Sequence, residues 1–241
     1  MIRRALIIYC DNTQSGKLSG PARDNDNLRK FLTQNIGGDW SPEEIESLRN
    51  PTSLSVRNKI NTFLSGADYT FIVFTGHGGI NTIDERQYIE LLDRDVPLQQ
   101  LKTNAKRQTI IIDACRGYYT VGLEDLRESK ILKFSIGGIL KSTRAIFDDA
   151  ILRSDEGLTI LFAASENQTA LDTTKGAAYL LSLLNAAYGW EDSDKEYNFL
   201  GLDVVHDMAA DYMNNNFDTI QEPSMNEEKR KRYYPFAVKY T

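Results

Sequence analysis

The amino-acid sequence predicts an α/β fold in which a mostly parallel central sheet is flanked by helices on both faces. Two apolar runs, Tyr69–Thr75 and residues 109–112, are rich in β-branched or aromatic side chains and too short for helices. Such runs are typical of strands that are buried on both faces of a parallel sheet. Each run ends abruptly in glycine and polar residues. Because ligand sites form at the carboxyl ends of parallel strands, we expect the functional site at that edge.

The other elements alternate between strand and helix, which supports a parallel sheet. Residues 4–10 form an apolar run of strand length, and the polar residues 11–21 form a loop. A helix follows, with apolar residues at helical spacing and acidic residues in its first turn. The later pattern predicts a helix at 51–64, a hairpin at 80–92, a helical turn at 98–101, a strand at 158–164, helices at 176–187 and 202–212, and a final edge strand at 234–240.

Composition excludes several function classes. The chain is 41% hydrophobic and 26% charged, as soluble globular proteins are. A net charge of −6 argues against a nucleic-acid surface, which is usually basic. No apolar run approaches the roughly 18 residues of a membrane span, and the apolar part of the N-terminus is too short for a secretory signal. We therefore expect a cytoplasmic protein without membrane or nucleic-acid partners, with Cys10 and Cys115 as free thiols.

Two scarce residue types lie at the predicted edge. The chain has two cysteines and two histidines, and Cys115 and His77 each follow a buried strand. A cysteine nucleophile needs a base, because a free thiol with a pKa of about 8.5 is mostly protonated at neutral pH. Glycines beside His77 leave backbone N–H groups that could hold an oxyanion. The alternative for Cys115 is a small buried hydrophobe, the commonest environment of a free cysteine.

These segments resemble the His and Cys motifs of the caspase-like cysteine peptidases, which include caspases, metacaspases and paracaspases. The matching segments are FIVFTGHGG and IIIDACRG. The caspase signature is Gln-Ala-Cys-[Arg/Gln/Gly]-Gly with a histidine about 50 residues upstream; here Asp113 replaces the glutamine and the separation is 115 − 77 = 38 residues. The aspartate is the metacaspase and paracaspase variant, and Arg116 is more caspase-like. RALIIYC, LSGPARDNDNLRKFL and FAASENQTALD extend the resemblance over nearly the whole chain.

The resemblance implies a caspase-like fold and a single catalytic domain spanning residues 1–241, closest to stand-alone metacaspase-like domains. Residues 1–117 would correspond to the large-subunit portion, 118–157 to a linker region and 158–241 to the small-subunit portion. The linker can be cut during activation in the family, and a surface linker that is merely basic is the alternative. Its candidate cleavage points are Lys130, Lys133, Lys141, Arg144 and Arg153.

The resemblance also assigns roles. Cys115 would be the nucleophile of a cysteine endopeptidase, passing through a thioester acyl-enzyme, and His77 its general acid–base. The backbone N–H groups of Gly78 and Cys115 would be the oxyanion donors. A role in regulated cell death or microbial defence would fit the family.

Asp113 is a candidate specificity residue. It would select the P1 residue, which is the substrate residue just before the cleaved bond. A carboxylate two residues before the nucleophile would pair with a P1 arginine or lysine and disfavour other side chains. Asp24 lies where metacaspases supply a second acidic pocket residue, or it is a helix cap. Arg23 points the other way, since an arginine in the first loop supports acidic P1 binding in caspases. An acidic or apolar P1 preference therefore stays open.

No cofactor is predicted. Some metacaspases require calcium, but the spacing of the candidate carboxylates does not match the family pattern. These candidates are Asp93, Asp95, Glu124 and Asp125. A metal site on His77 and Cys115 lacks further His or Cys ligands. The other function class is a silent or latent caspase-like module that binds partner proteins. Protein substrates, an activator or self-cleavage, and a monomeric state are expected, with a caspase-like dimer as the alternative.

Overall fold

The computed structural model describes residues 1–117, 142–193, 198–227 and 230–240. Its helices are α1 (Pro21–Thr33), α2 (Ser53–Thr62), α3 (Arg144–Arg153), α4 (Ala178–Glu191) and α5 (Leu202–Asn216), with 3-10 helices at Pro42–Glu44 and Leu98–Leu101. Its strands are β1 (Arg3–Tyr9), β2 (Asn12–Thr13), β3 (Gly16–Lys17), β4 (Ile45–Arg49), β5 (Tyr69–Thr75), β6 (Gly78–Asn81), β7 (Arg86–Glu90), β8 (Asp95–Pro97), β9 (Arg107–Asp113), β10 (Gly157–Phe162), β11 (Phe199–Gly201), β12 (Ser224–Glu227) and β13 (Pro235–Val238).

The central sheet confirms the predicted α/β fold. Its six strands follow the order β12-β10-β9-β5-β1-β4. The five strands from β10 to β4 are parallel, and β12 adds an antiparallel edge. In-register pairing of β5 with β9 aligns Thr75 with Asp113, so the two predicted site segments leave the sheet side by side.

The sheet is buried on both faces, as the apolar runs predict. In β5, Phe71 and Val73 join one core, while Ile72 and Phe74 join the other. The first core packs against α1, α3, α4 and α5, and the second packs against α2 and the small sheet β6-β7-β8. Each fully buried side chain of this size contributes about 1.5–3 kcal/mol through the hydrophobic effect.

The peripheral elements differ most from the sequence expectations. Strand β13 exists as predicted, but it pairs with β11 in a separate two-stranded sheet and not with the central sheet. The edges of the central sheet are instead β4 and β12, which the hydrophobic pattern does not predict. Helix α3 occupies residues 144–153, inside the interval expected to be a linker.

Two of the five candidate cleavage points fall on α3. Arg144 pairs with the buried Glu44, and Arg153 pairs with Asp149 in the last turn of the helix. Arg144 and Arg153 are the first and last residues of α3, so cleavage at either residue would first require that end of the helix to fray. The other points, Lys130, Lys133 and Lys141, lie outside the described residues. None of the helices in the described ranges is long and apolar enough to cross a membrane.

Candidate active site

His77 and Cys115 occupy equivalent positions beyond two adjacent strands. Thr75 of β5 is in register with Asp113 of β9, and the Gly76 N–H extends the ladder by donating to the Asp113 carbonyl at 3.1 Å. His77 and Cys115 each lie two residues beyond this registered pair. Because paired strands run about 4.8 Å apart, His77 and Cys115 follow strand ends that are neighbours at one edge of the sheet.

The Cys115 thiol is partly buried beside a backbone segment that follows β10. Its Sγ accepts a hydrogen bond from the Ala170 N–H at 3.4 Å, and the thiol donates to the Ala170 carbonyl at 3.9 Å. Burial raises the pKa of the thiol, the Ala170 N–H lowers it, and the negative charge of Asp113 raises it further. The resting side chain is therefore a neutral thiol that needs a base to become a nucleophile.

His77 is the candidate for that base. The histidine is only partly exposed, and its backbone carbonyl accepts a hydrogen bond from the Glu90 N–H at 3.0 Å. Its Nε2 atom is buried and has no hydrogen-bond partner in the part of the chain that the structure describes. This arrangement leaves a ring nitrogen of His77 uncommitted, and among the described residues no hydrogen bond joins it to the Cys115 thiol.

Gly78 begins the hairpin that follows the histidine. His77 and Glu90 form a hydrogen-bonded pair, and Gly78 faces Ile89 in the next pair. Bonded and non-bonded pairs alternate in an antiparallel ladder, so the Gly78 N–H points away from β7 and makes no ladder hydrogen bond to it. Glycine is required by close approach, because an added Cβ would lie 2.7 Å from the Tyr88 carbonyl oxygen.

Asp113 is a buried residue two positions before Cys115 in the chain. Asp113 is only 3% exposed to solvent. Its Oδ2 atom accepts a hydrogen bond at 3.2 Å from the N–H of Leu180, in the first turn of α4. Burial raises the pKa of Asp113 well above its usual value, and the neighbouring charge of Asp24 adds to that rise. Oδ1 accepts no hydrogen bond from a described residue.

Asp24 is buried near Asp113 and does not cap its own helix. Its Oδ2 accepts the Thr75 hydroxyl at 2.7 Å and its Oδ1 accepts the Ala177 N–H at 2.9 Å. Burial raises the pKa of Asp24 to about 7, against the opposing effect of these two hydrogen bonds. Both oxygens are thus committed to joining α1, the end of β5 and the start of α4.

A third carboxylate, Asp172, was missed by the sequence reasoning. Its Oδ2 accepts the N–H groups of Ser19 and Gly20 at 2.8 and 3.1 Å. Burial raises the pKa of Asp172, these bonds lower it, and the nearby His77 also lowers it. We call Asp24, Asp113 and Asp172 the acidic pocket. The available signal was weak: an acidic residue eight positions after Ala164, in the loop that follows a buried strand.

The remaining candidates lie elsewhere. Arg23 is exposed on α1, and Cys10 is buried at the end of β1, where burial raises its pKa to about 12. Asp93 accepts the N–H and hydroxyl of Ser53 at 2.7 and 2.8 Å. The calcium candidates Glu124 and Asp125 lie outside the described residues. Within the described ranges, no group of three or more His, Cys, Asp or Glu side chains is placed to hold a metal ion.

Comparisons with known proteins agree with this architecture. The family model described as a caspase domain matches residues 2–234. A crystal structure of caspase-1 from Spodoptera frugiperda superposes with a TM-score of 0.64 and 14% sequence identity, covering 98% of this chain and 92% of that chain. At that identity the structural likeness concerns the fold alone. No curated protein sequence matches the chain significantly.

Proposed function

Because the chain belongs to the caspase domain family, we propose that it is a cysteine endopeptidase in which Cys115 is the nucleophile and His77 the general acid–base. One observation carries this assignment: the two side chains stand at equivalent positions beyond the registered pair Thr75 and Asp113. A buried thiol with a raised pKa and an uncommitted histidine nitrogen are complementary partners for proton transfer.

The reaction proceeds in two stages. His77 takes the thiol proton, and the Cys115 thiolate attacks the carbonyl carbon of the scissile peptide bond. The oxyanion that forms is stabilised by the backbone N–H groups of Gly78 and Cys115. His77 then returns the proton to the leaving amine, which leaves a thioester on Cys115. A water molecule, deprotonated by His77, hydrolyses the thioester and regenerates the thiol.

The acidic pocket supports a preference for arginine or lysine at P1. The Oδ1 atoms of Asp113 and Asp172 accept no hydrogen bond from the described residues, whereas both oxygens of Asp24 are already engaged. We assign binding of the P1 cation to Asp113 and Asp172, with Asp24 as the support that holds the pocket walls together. An acidic or apolar P1 side chain would leave these carboxylates unpaired, which costs several kcal/mol.

The other parts of the proposal rest on family membership. Protein or peptide substrates follow from a peptidase domain, and a cytoplasmic monomer with a role in regulated cell death or microbial defence follows from the resemblance alone. A latent form is the second candidate, and one observation favours it: the Cys115 thiol is hydrogen-bonded to Ala170 and not to His77. Activation would then have to exchange that bond for the dyad.

Hydrolysis of a matched panel of fluorogenic peptides tests the proposal. The peptides end in Arg, Lys, Asp or Leu, and each is assayed with and without calcium on the unaltered protein and on Cys115→Ala. We expect cleavage after Arg and Lys only, abolished in the variant. Cleavage after Asp or Leu would keep the peptidase and overturn the pocket assignment. Equal cleavage by Cys115→Ala would overturn the nucleophile, and no cleavage of any peptide would favour the latent or binding-only alternative.

A further inference from the structure

A buried glutamine on the accessory hairpin touches both halves of the proposed catalytic site. Gln87 lies on β7 and is 6% exposed. Its Nε2 donates to the Cys115 carbonyl at 3.2 Å and to the Tyr88 carbonyl at 2.9 Å. Its Oε1 accepts the Arg116 Nε at 3.3 Å. Both N–H donors and the carbonyl oxygen of this amide are therefore in use, which fixes its orientation.

The same amide lies against the histidine side of the site. A Cβ placed on Gly78 would be 3.3 Å from Gln87 Nε2 and 3.0 Å from the Cβ of Ala114. Gln87 is thus packed between Gly78 and Cys115, the two residues proposed to supply the oxyanion donors. Any change in its length or hydrogen bonding alters the separation of those donors.

The turn that carries the nucleophile is held from two sides, and Gln87 supplies one of them. On the other side, the Arg116 N–H donates to the Gln168 carbonyl at 2.9 Å, and the Asn167 N–H donates to the Arg116 carbonyl at 3.0 Å. Within the described residues, Gln87 provides the side-chain hydrogen bond to the Cys115 backbone. Catalytic groups must be held within about 0.5 Å of the productive geometry, so this bond bears directly on rate.

We propose that Gln87 is a positioning residue, which holds the Cys115 carbonyl and sets the spacing of the two oxyanion donors. The inference rests on the proposed function, because it assumes that Cys115 is the nucleophile. Gln87 does not touch substrate. It acts through the backbone of Cys115, and so its removal should affect the transition state more than the binding of substrate.

Two substitutions separate its hydrogen bonds. Gln87→Glu keeps an acceptor for Arg116 but removes the donor to the Cys115 carbonyl. Gln87→Met keeps the length and burial of the side chain and removes all three of its hydrogen bonds. Gln100→Glu is the matched control, because it makes the same chemical change at an exposed position of the 3-10 helix Leu98–Leu101.

We expect both Gln87 variants to lower kcat about 10–100-fold with KM within about twofold, since removing one oxyanion donor outright costs about 10²–10³-fold. The inhibition constant of a peptide aldehyde ending in arginine should rise by the same factor, because its adduct with a thiol uses the same donors. Alkylation of Cys115 by iodoacetamide needs no oxyanion donor and should stay within about twofold. Gln100→Glu should match the unaltered protein in all four measurements.

Three results would overturn the inference. If kcat of both Gln87 variants stays within twofold of the unaltered protein, the hydrogen bond does not position the nucleophile. If KM, the alkylation rate and the urea unfolding midpoint all change together with kcat, Gln87 supports the fold and has no specific role. If the unaltered protein cleaves no peptide, or Cys115→Ala cleaves equally well, the proposed function fails and the inference about Gln87 fails with it. This result is distinguishable from a failure of the inference alone, in which the unaltered protein and both Gln87 variants cleave the peptides at similar rates.

Discussion

Raising the pH should destabilise the protein through Asp24, and Asp24→Asn should remove that part of the pH dependence. Burial raises the pKa of this carboxyl from 3.8 to about 7 in the folded protein, whereas in the unfolded chain it stays near 3.8. Between those two values the unfolded state has lost the proton and the folded state still holds it. The contribution of Asp24 to the free energy of unfolding is therefore fully present below the unfolded-state pKa. This contribution is lost as the pH rises through the folded-state pKa.

The size of the effect follows from the two pKa values. The difference between about 7 and 3.8, at about 1.36 kcal/mol for each pH unit, is about 4 kcal/mol. Because Asp24 is 1% exposed, solvent screening reduces this figure little.

Urea unfolding of the unaltered protein and of Asp24→Asn, from pH 4 to pH 8, measures this contribution of Asp24 to the free energy of unfolding. Carboxyls distant from Asp24 titrate in the same range, but they cancel in the difference between Asp24→Asn and the unaltered protein. The charge of Asp24 raises the pKa of Asp113, so removing that charge lowers the pKa of Asp113 and moves the difference in the same direction. We expect that difference to move in favour of the variant by about 4 kcal/mol across the range. Asp211→Asn makes the same chemical change at an exposed position on α5 and serves as the matched control. If the difference in unfolding free energy between Asp24→Asn and the unaltered protein did not change with pH, burial would not raise the pKa of Asp24 in the folded protein.

Three simpler experiments probe the rest of the site. Asp113→Asn should lower kcat/KM for a peptide ending in arginine at least about 100-fold relative to one ending in leucine, because losing one partner of a buried ion pair costs about 3–5 kcal/mol; an unchanged ratio would argue against a P1 role. Iodoacetamide should alkylate Cys115 at a rate that still rises above pH 9, because burial raises the pKa of this thiol. It should leave Cys10 unlabelled, because that thiol is buried and its pKa is also raised. A Cys115 alkylation rate that reaches a plateau below pH 8, measured by mass spectrometry, would contradict this. Gly20→Ala should abolish cleavage after arginine with its circular dichroism retained, because the new Cβ would lie 1.9 Å from Asp172 Oδ1; full activity would show that the pocket wall can move.

The central strands could be predicted from the sequence, and the edge strands could not. β5 and β9 are buried on both faces, so they appear as continuous apolar runs. β4 reads IESLR and β12 reads SMNE. An edge strand is stabilised by pairing on one side and keeps polar side chains in contact with water, so its sequence resembles that of a loop. The pairing of β13 with β11 also depends on tertiary contacts that no local pattern records.

The same division applies to the site. Cys115 and His77 could be proposed as site residues because scarce reactive residue types follow two strongly predicted strands. Asp172 could not, because its partner Ser19 lies 153 residues away in the chain. Gln87 was missed for a similar reason: a glutamine in a half-apolar hairpin has no distinctive local signal, and its importance comes from a contact 28 residues away.

Covalent trapping of the nucleophile tests the central claim most directly. The protein is incubated with a peptide chloromethyl ketone ending in arginine, and the modified residue is located by peptide mass spectrometry, with His77→Ala and Cys115→Ala as companions. The account predicts one adduct, on Cys115, which forms more slowly in His77→Ala and is absent from Cys115→Ala. An adduct on any other residue, or cleavage of peptides by a protein whose Cys115 remains unmodified, would contradict it.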